Sequence, residues 1–322
     1  MTKNRSEVLQ MIEIVRYTPE WQKEWDEFVP TTKNSTFLHM RQYMDYHSDR
    51  FADYSLVALK KGKTAGLLPA CREGDTLYSH RGLTYGGWLT RAAHFSVIDM
   101  LEIWDCMAAM LKADGINKLI YKPVPHIYHS YPAEEDLYAI FRHNGRLIES
   151  NISSAIMQEG KISFNSTMKQ MAKQAANNRI SVAESDDFGA FWDILTDLLQ
   201  SRYNAIPVHS LDEIKLLHSR FPGNIRLFTV MHSGHIIAGT VIFATKRVAH
   251  VQYIAASPEG KELKALPLLF NHLINETFSD VPYFDFGTSN EQHGQYLNEG
   301  LIIQKCGMGG RGIVYNTYSI DF

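Results

Sequence analysis

The feature of this sequence that most restricts its fold is a weak internal repeat. Residues 55–69 and 227–241 share one pattern, in which a β-rich run meets a glycine turn and an Ala-Gly pair then opens a second run. This pattern is typical of an antiparallel hairpin. The sequence therefore predicts equivalent hairpins at 56–70 and 227–244, so one structural plan is used twice.

Each copy then continues with the same order of elements. A third β-rich run, a segment with apolar residues at helical period and a closing strand follow each hairpin. The predicted ranges are 75–80, 95–113 and 118–123 in the first copy, and 247–256, 261–278 and 282–287 in the second. This order predicts an α/β fold in which a mixed sheet is flanked by helices.

The two copies are separated by a polar stretch at 160–187, which contains a predicted helix at 166–177. We therefore expect two tandem domains, 1–160 and 161–322. The chain length of 322 residues suits this division, because single domains commonly have about 150 residues. Apolar residues make up 45% of the chain, which is enough for two packed cores.

The composition also argues against several classes of protein and site. The formal net charge of −3 provides no overall field for binding DNA or an anionic membrane. The three cysteines show no CxxC spacing and the histidines form no HExxH motif, so we expect neither disulfides nor a metal site. No segment has the apolar length of a signal peptide core or a membrane span, which favours a cytoplasmic protein without an integral membrane segment.

Two groups of residues resemble the motifs of a known family. One is the glycine-rich run Gly82-Leu-Thr-Tyr-Gly-Gly87, and the other is the run Tyr283-Phe-Asp-Phe-Gly-Thr-Ser289, followed by Gly294, Asn298, Gly300-Leu301 and Lys305. In this order they resemble the FemAB-like (FemX-like) family of tandem GNAT-fold acyltransferases. The resemblance runs from about Phe37 to the end of the chain, and it implies two tandem GNAT domains.

The resemblance also implies a reaction, the transfer of an activated acyl or aminoacyl group to a primary amine. In the best-known members of the family the donor is an aminoacyl-tRNA and the acceptor is an amine of a peptidoglycan precursor. Other relatives use a thioester donor. Two alternatives remain open: an N-acetyltransferase that depends on acetyl-CoA or an acyl carrier, and a non-catalytic module of the same fold that binds a nucleotide-sugar or a peptide.

Two residues are catalytic candidates. Lys305 lies in the apolar run 301–307, which we interpret as a strand with Ile303 and Lys305 on one face. By resemblance, Lys305 would polarise the reacting carbonyl, whereas a lysine that only extends its ammonium to solvent is the alternative. Asp285 could accept a proton from the attacking amine or orient it. Alternatively, Asp285 belongs to a corner before a helix whose capping box begins at Thr288 or Ser289.

The candidate substrate-binding residues come from three segments. They are Arg202 and Tyr203 at the end of a predicted helix, Gln252 and Tyr253 in the predicted groove strand, and Tyr85, Gly86 and Gly87 in a predicted ligand-facing rim. Arginine can hold a phosphate or carboxylate through two parallel hydrogen bonds, and glycine lets the backbone approach a ligand. A helix C-terminus, a half-buried aromatic residue and simple turn geometry are the structural alternatives.

The sequence leaves the acyl donor open between aminoacyl-tRNA and acyl-CoA, and it predicts no tightly bound cofactor. The segment 256–261 has one glycine, a proline and a glutamate where a loop binding the CoA pyrophosphate would have backbone donors. A polyanion such as tRNA would need a local basic patch. The candidates for that patch are Lys169, Lys173, Arg179, Lys261 and Lys264.

Overall fold

The computed structural model describes residues 12–322, and of Tyr203 it describes the backbone alone. The chain divides into two units. Unit 1 contains the residues up to Ser150 together with Tyr315–Phe322, and unit 2 contains Asn151–Val314. The chain thus enters unit 2 at Asn151, ahead of the sequence-based boundary after residue 160. Its last eight residues belong to unit 1, because they pair with a strand of that unit.

Unit 1 contains most of the shorter elements. In chain order they are β1 (Ile12–Arg16), α1 (Gln22–Phe28), α2 (Arg41–Met44), β2 (Leu56–Lys60), β3 (Lys63–Leu68), β4 (Cys71–Glu73), β5 (Thr76–Tyr78), β6 (Leu89–Thr90), α3 (Val97–Ala113), β7 (Lys118–Tyr121) and α4 (Glu135–Arg142), followed by the start of β8 (Arg146–Met157). One sheet has the strand order β1-β2-β3-β6. In the other, β5 pairs with β4 and runs parallel to β7.

Unit 2 begins within β8 and ends within the last strand. Its elements are α5 (Ser166–Ala176), β9 (Ser181–Ser185), α6 (Phe188–Tyr203), α7 (Leu211–Arg220), β10 (Ile225–His232), β11 (His235–Ala244), β12 (Val248–Ala256), α8 (Pro258–Glu262), α9 (Ala265–His272), β13 (Tyr283–Thr288), β14 (Asn290–Glu291), β15 (Tyr296–Leu297), α10 (Glu299–Gly307) and β16 (Arg311–Asp321). The strand order is β8-β13-β12-β11-β10-β9, and β12 runs parallel to β13.

The repeated plan is present in both units. After each hairpin, β2-β3 or β10-β11, a strand before the helical segment pairs in parallel with the strand after it, β5 with β7 and β12 with β13. Each hairpin turns through a glycine with positive φ, Gly62 or Gly234, which is the backbone conformation that favours glycine. Each first strand also has a register shift, after Ala58 and after Val230. The predicted hairpins are therefore confirmed.

Each unit has its own apolar core. In unit 1, α3 begins with a capping box between Ser96 and Asp99 and buries Met100, Ile103 and Trp104. In unit 2, α9 packs against α5 and buries Leu269 and Phe270. In α3 these buried residues lie at helical period, as predicted, whereas Ile98 in its first turn is 72% exposed.

The continuous helix predicted at 261–278 is wrong. The segment forms α8 and α9 separated by Lys264, which has a left-handed backbone (φ 59°), and a π-helical turn then covers Leu273–Thr277. Pro267 explains the break, because proline has no N–H and its ring collides with the preceding helical turn. In the observed structure Pro267 lies in the first turn of α9, where no intrahelical donor is needed.

Candidate functional site

The strands β12 and β13 part within unit 2. Their parallel pairing runs from Val248↔Tyr283 to His250↔Asp285, and both strands continue beyond that point. β12 carries a β-bulge just after it, because Val241 pairs with Tyr253 while Ile242 pairs with Val251, which leaves Gln252 as the extra residue. β-Bulges redirect side chains and leave backbone groups outside the ladder, and they are common next to active sites.

A polar cluster lies where the two strands part. The Asp285 carboxylate is fully buried, and one of its oxygens lies 2.8 Å from Nδ1 of His250. Its other oxygen accepts a short hydrogen bond from the Ser153 hydroxyl and one of 3.2 Å from the Gly287 N–H. A buried carboxylate is stable only when it has such partners. The cluster therefore holds Asp285 in one orientation against His250.

The strand predicted for the run containing Lys305 is wrong, since residues 299–307 form helix α10. Asn298 begins the helix, and its side chain accepts a hydrogen bond from the Leu301 N–H at 3.1 Å. Helical spacing then places Ile303 and Lys305 on different faces, so that Ile303 is 69% exposed and Lys305 is 6% exposed. The alternative of a lysine extending to solvent is also wrong.

The Lys305 ammonium is directed into the protein. It donates to the carbonyl oxygens of Gly287 (2.7 Å) and Thr288 (2.9 Å) and to the Ser289 hydroxyl (2.8 Å). Burial lowers the pKa of Lys305 to about 8, and the nearby Asp285 carboxylate opposes that shift. The three donors of one ammonium thus hold the backbone that follows Asp285.

That backbone is not the entry to a helix. After Asp285 the chain forms the end of β13 and then the short strands β14 and β15. The capping box predicted from Thr288 or Ser289 is therefore wrong. The shape of the backbone after Asp285 is determined instead by strand pairing and by the hydrogen bonds from Lys305.

Tyr253 lies inside unit 2 and has local hydrogen-bond partners. Its hydroxyl accepts from the His209 N–H (3.1 Å) and lies 2.5 Å from His209 Nδ1. Its ring meets Trp192 of α6 edge to face at 5.1 Å. Burial raises the pKa of Tyr253 to about 12, so the hydroxyl stays protonated. Gln252 is half-buried at the bulge.

The predicted ligand groups at the end of α6 are only partly described. Arg202 is exposed in the last turn of α6, where a cation suits the helix C-terminus. The side chain of Tyr203 lies outside what the structure describes. Arg202, Tyr253 and Lys305 thus lie in different surroundings within unit 2, one exposed and two buried, and their shared role in ligand binding stays a prediction.

A groove of about 470 Å³ lies between α6 and the turn from β12 into α8. Apolar and polar side chains both line it: Ile194, Leu198, Ala256 and Pro258 are apolar, and Asp197, Gln200, Ser201, Ser257 and Lys261 are polar. A concave surface with apolar walls and a few polar groups is the usual form of a small-molecule site. Lys261, named above as a candidate for binding an anion, is therefore at the groove.

The turn at the groove is organised by its own side chains. The Ser257 hydroxyl accepts from the Gly260 N–H at 3.1 Å and caps α8. The Glu259 carboxylate contacts His232 at 2.6 Å and His235 at 2.8 Å. Both hydrogen bonds lower the pKa of Glu259, and the bond to His235 has the larger effect. The glutamate of the segment 256–261 is thus paired with two histidines.

The glycine-rich run of unit 1 is internal. Tyr85 is only 3% exposed and its ring contacts Tyr128 at 4.5 Å, while Gly86 and Gly87 are buried. A Cβ on Gly86 would lie 2.3 Å from the Ser79 carbonyl oxygen, and Gly87 has φ 84°. Close packing and turn geometry account for these residues, and their contact with a ligand stays a prediction.

Three residues of the cluster and its surroundings belong to no motif in the sequence: His250, Ser153 and His209. Simple alternation would put His250 on the strand face opposite Tyr253, but the bulge at Gln252 brings both residues to the same face, and the pairing of β12 with β13 places His250 beside Asp285. Ser153 belongs to β8, far away along the chain. Within residues 12–322, no group of three or more His, Cys, Asp or Glu side chains is arranged to hold a metal ion.

Comparison with known proteins gives the type of fold. The family model described as an acetyltransferase (GNAT) domain matches residues 163–295. The crystal structure of FemX is similar over 96% of this chain and 97% of its own, with 12% identity and a TM-score of 0.65. A search of curated protein sequences finds no match.

Two other solved structures are also similar. L-PGS from Bacillus licheniformis matches over 95% of this chain and 92% of its own, with 13% identity and a TM-score of 0.59. A tandem GNAT protein from the clavulanic acid biosynthesis pathway matches over 96% and 98%, with 12% identity and a TM-score of 0.51. Among the described residues, no helix has the length and apolar character needed to cross a membrane.

Proposed function

Since the chain has the tandem GNAT fold and carries a GNAT-type acetyltransferase domain at residues 163–295, we propose that it is an N-acyltransferase. The reaction is the transfer of an activated acyl or aminoacyl group to a primary amine. The acyl carbonyl carbon gains a bond to the amine nitrogen and loses its bond to the sulfur or oxygen of the donor. No covalent intermediate on the protein is required for this exchange.

The observation that carries the proposal is the parting of β12 and β13 beside the bulge at Gln252. An acyl group placed there would meet backbone groups that the bulge releases from the ladder. Fixed N–H donors stabilise the oxyanion that forms when an amine adds to a carbonyl. The buried His250–Asp285 pair lies at the same point, so the opening combines a place for the carbonyl with a titratable group.

We place the acyl donor in the groove between α6 and α8. Its apolar wall, formed by Ile194, Leu198 and Pro258, suits the aliphatic part of a donor, and Lys261 suits a phosphate or another anionic group. The finer proposal rests on the resemblance of residues 82–87 and 283–305 to the FemAB-like motifs: the protein is a FemAB-like acyltransferase whose acceptor is an amine of a peptidoglycan precursor or a related compound. The donor is then an aminoacyl-tRNA or an acyl-CoA.

Transfer assays with both donors test the proposal. The protein is incubated with radiolabelled acetyl-CoA or with aminoacylated tRNA and a panel of primary amines, and amide product is measured. Leu198→Trp fills the groove, so its kcat/KM for the donor should fall at least about tenfold, since about 1.4 kcal/mol of lost binding is enough for that. Leu216→Trp, at an exposed position of α7, is the matched control and should retain activity.

The possible outcomes separate the functional classes. Product with either donor, lost in Leu198→Trp alone, supports an N-acyltransferase and identifies its donor. Binding of a donor without product, across the whole panel of amines, would instead indicate a non-catalytic binding module. Equal activity of both tryptophan variants would place the donor outside this groove.

A further inference from the structure

The side chains of His250 and Asp285 form a hydrogen-bonded pair, which the backbone pairing of their strands does not by itself require. The two residues face each other at the last position of the parallel register between β12 and β13. The Asp285 carboxylate has no solvent exposure, whereas the His250 side chain retains 13%. Asp285 therefore cannot reach a substrate amine itself, and His250 is the member of the pair that has access to the opening.

The hydrogen bonds determine which nitrogen of His250 carries the proton. Asp285 Oδ2 lies 2.8 Å from Nδ1, and an ionised carboxylate can only accept. Nδ1 must therefore carry the hydrogen, and in the neutral ring Nε2 has the free lone pair. Within the part of the chain that the structure describes, Nε2 has no hydrogen-bond partner. The ring thus presents a proton acceptor that protein groups do not occupy.

The surroundings of the pair fix this arrangement. Ser153 from β8 and the Gly287 N–H hold Asp285 Oδ1, so the carboxylate cannot rotate away from His250. Gly287 has φ 75°, and a Cβ built there would lie 3.5 Å from His250 Cε1, so a side chain at this position would lie against the ring. The neighbour of His250 on β11 is Phe243, and the Lys305 ammonium interacts electrostatically with Asp285.

We propose that His250 accepts the proton of the attacking amine and that Asp285 is its positioning residue. This inference rests on the N-acyltransferase function proposed above. As the nitrogen attacks, it loses one proton to His250 Nε2 while the C–N bond forms. The bond from the acyl carbon to the donor sulfur or oxygen then breaks, and the imidazolium returns the proton to that leaving atom. The reaction is balanced, and it uses no other reagent.

Two substitutions separate this role from a structural one. His250→Asn retains a donor near the position of Nδ1 and removes Nε2, so it keeps the contact with Asp285 and loses the proton acceptor. Asp285→Asn keeps the shape of the carboxylate but favours the opposite tautomer of His250. His272→Asn is the control, because His272 forms an i,i+4 pair with Glu276 on the surface of α9.

The first readout is the pH profile of kcat/KM with an amine whose own pKa lies below the assay range. In the wild-type protein the rate should rise with pH, because the attacking nitrogen needs an unprotonated acceptor. His250→Asn should lose that rise and about 10²- to 10⁴-fold in kcat/KM, the scale of one acid–base group. Asp285→Asn should also lower kcat, and His272→Asn should change neither. An unchanged rate and profile in His250→Asn would overturn the proposal.

The second readout needs no turnover, so it distinguishes failure of this inference from failure of the proposed function. In protein labelled with ¹⁵N-histidine, the signals of His250 are identified by their loss in His250→Asn. The wild-type ring should show hydrogen on Nδ1 and a free Nε2, and Asp285→Asn should reverse this. Hydrogen on Nε2 in the wild-type protein would overturn the proposal even if transfer activity is found.

Discussion

Lys305 of α10 donates a 2.7 Å hydrogen bond to the carbonyl oxygen of Gly287, two residues after Asp285. This bond connects the two residues that the sequence marked as catalytic candidates, since the Gly287 N–H donates to the Asp285 carboxylate. The ammonium thereby holds the backbone that in turn holds the carboxylate. Lys305 is thus part of the support of the His250–Asp285 pair.

Lys305→Met should destabilise the protein. The substitution leaves the Gly287 and Thr288 carbonyls and the Ser289 hydroxyl without their donor, and an unsatisfied buried polar group costs about 1–3 kcal/mol. We expect the free energy of unfolding in urea to fall by roughly 2–4 kcal/mol. Lys173→Met, at an exposed position of α5, is the control.

The role of Lys305 in polarising the acyl carbonyl stays a prediction. If it acts in this way, turnover of Lys305→Met should also fall by about 10²- to 10³-fold. Stability equal to that of Lys173→Met, combined with a loss of turnover, would show that the three hydrogen bonds contribute little to the fold.

Asp136→Asn should change how stability depends on pH. Asp136 is buried in unit 1, where it accepts a 2.7 Å hydrogen bond from Tyr121 and one of 2.8 Å from the Leu137 N–H. Desolvation raises the pKa of Asp136 from 3.8 to about 7. Between these values the folded state binds more protons than the unfolded state, so wild-type stability falls as pH rises.

The comparison is made by urea unfolding at several pH values between 4 and 8. The stability of Asp136→Asn relative to wild type should increase across this interval, with a limiting slope of about 1.4 kcal/mol per pH unit. The difference should become constant above pH 7, where the folded wild-type protein also loses the proton. A difference that is the same at all pH values would show that Asp136 is ionised throughout.

Gly260→Ala should disturb the groove. A Cβ at this position would lie 2.2 Å from the backbone oxygen of Ile237, so α8 would have to move away from β11. Overpacking of this kind costs about 1–3 kcal/mol. We expect a lower thermal midpoint and weaker donor binding. Gly223→Ala is the matched control, because no atom lies within 4 Å of its Cβ; equal midpoints in the two variants would contradict the close packing of α8.

Tyr253→Phe should weaken the packing of the segment between α6 and α7. The hydroxyl is the partner of both the backbone N–H and Nδ1 of His209, a residue with 5% exposure. Loss of the Tyr253 hydroxyl should reduce the free energy of unfolding by about 1–2 kcal/mol. The control is Tyr296→Phe, because Tyr296 is 51% exposed. A raised KM with unchanged stability would instead support the ligand contact predicted from the sequence.

Local sequence patterns predicted much of the secondary structure because their causes are local. The turns at Gly62 and Gly234, the apolar period of α3 and the polar cap of α5 act within a few residues. The run around Lys305 shows the limit. A short apolar segment suits either a strand or a helix, and the Asn298 cap together with the burial of Lys305 selects the helix.

The repeated plan, the α/β class and the position of the hairpins could be predicted from the sequence, because periodicity and turn residues encode these over short distances. The composition of the candidate site depends on tertiary contacts. His250, Asp285, Ser153 and Lys305 come from β12, β13, β8 and α10, and strand register and burial bring them together. Such contacts depend on which strands become neighbours, and that choice is made by packing of the whole unit.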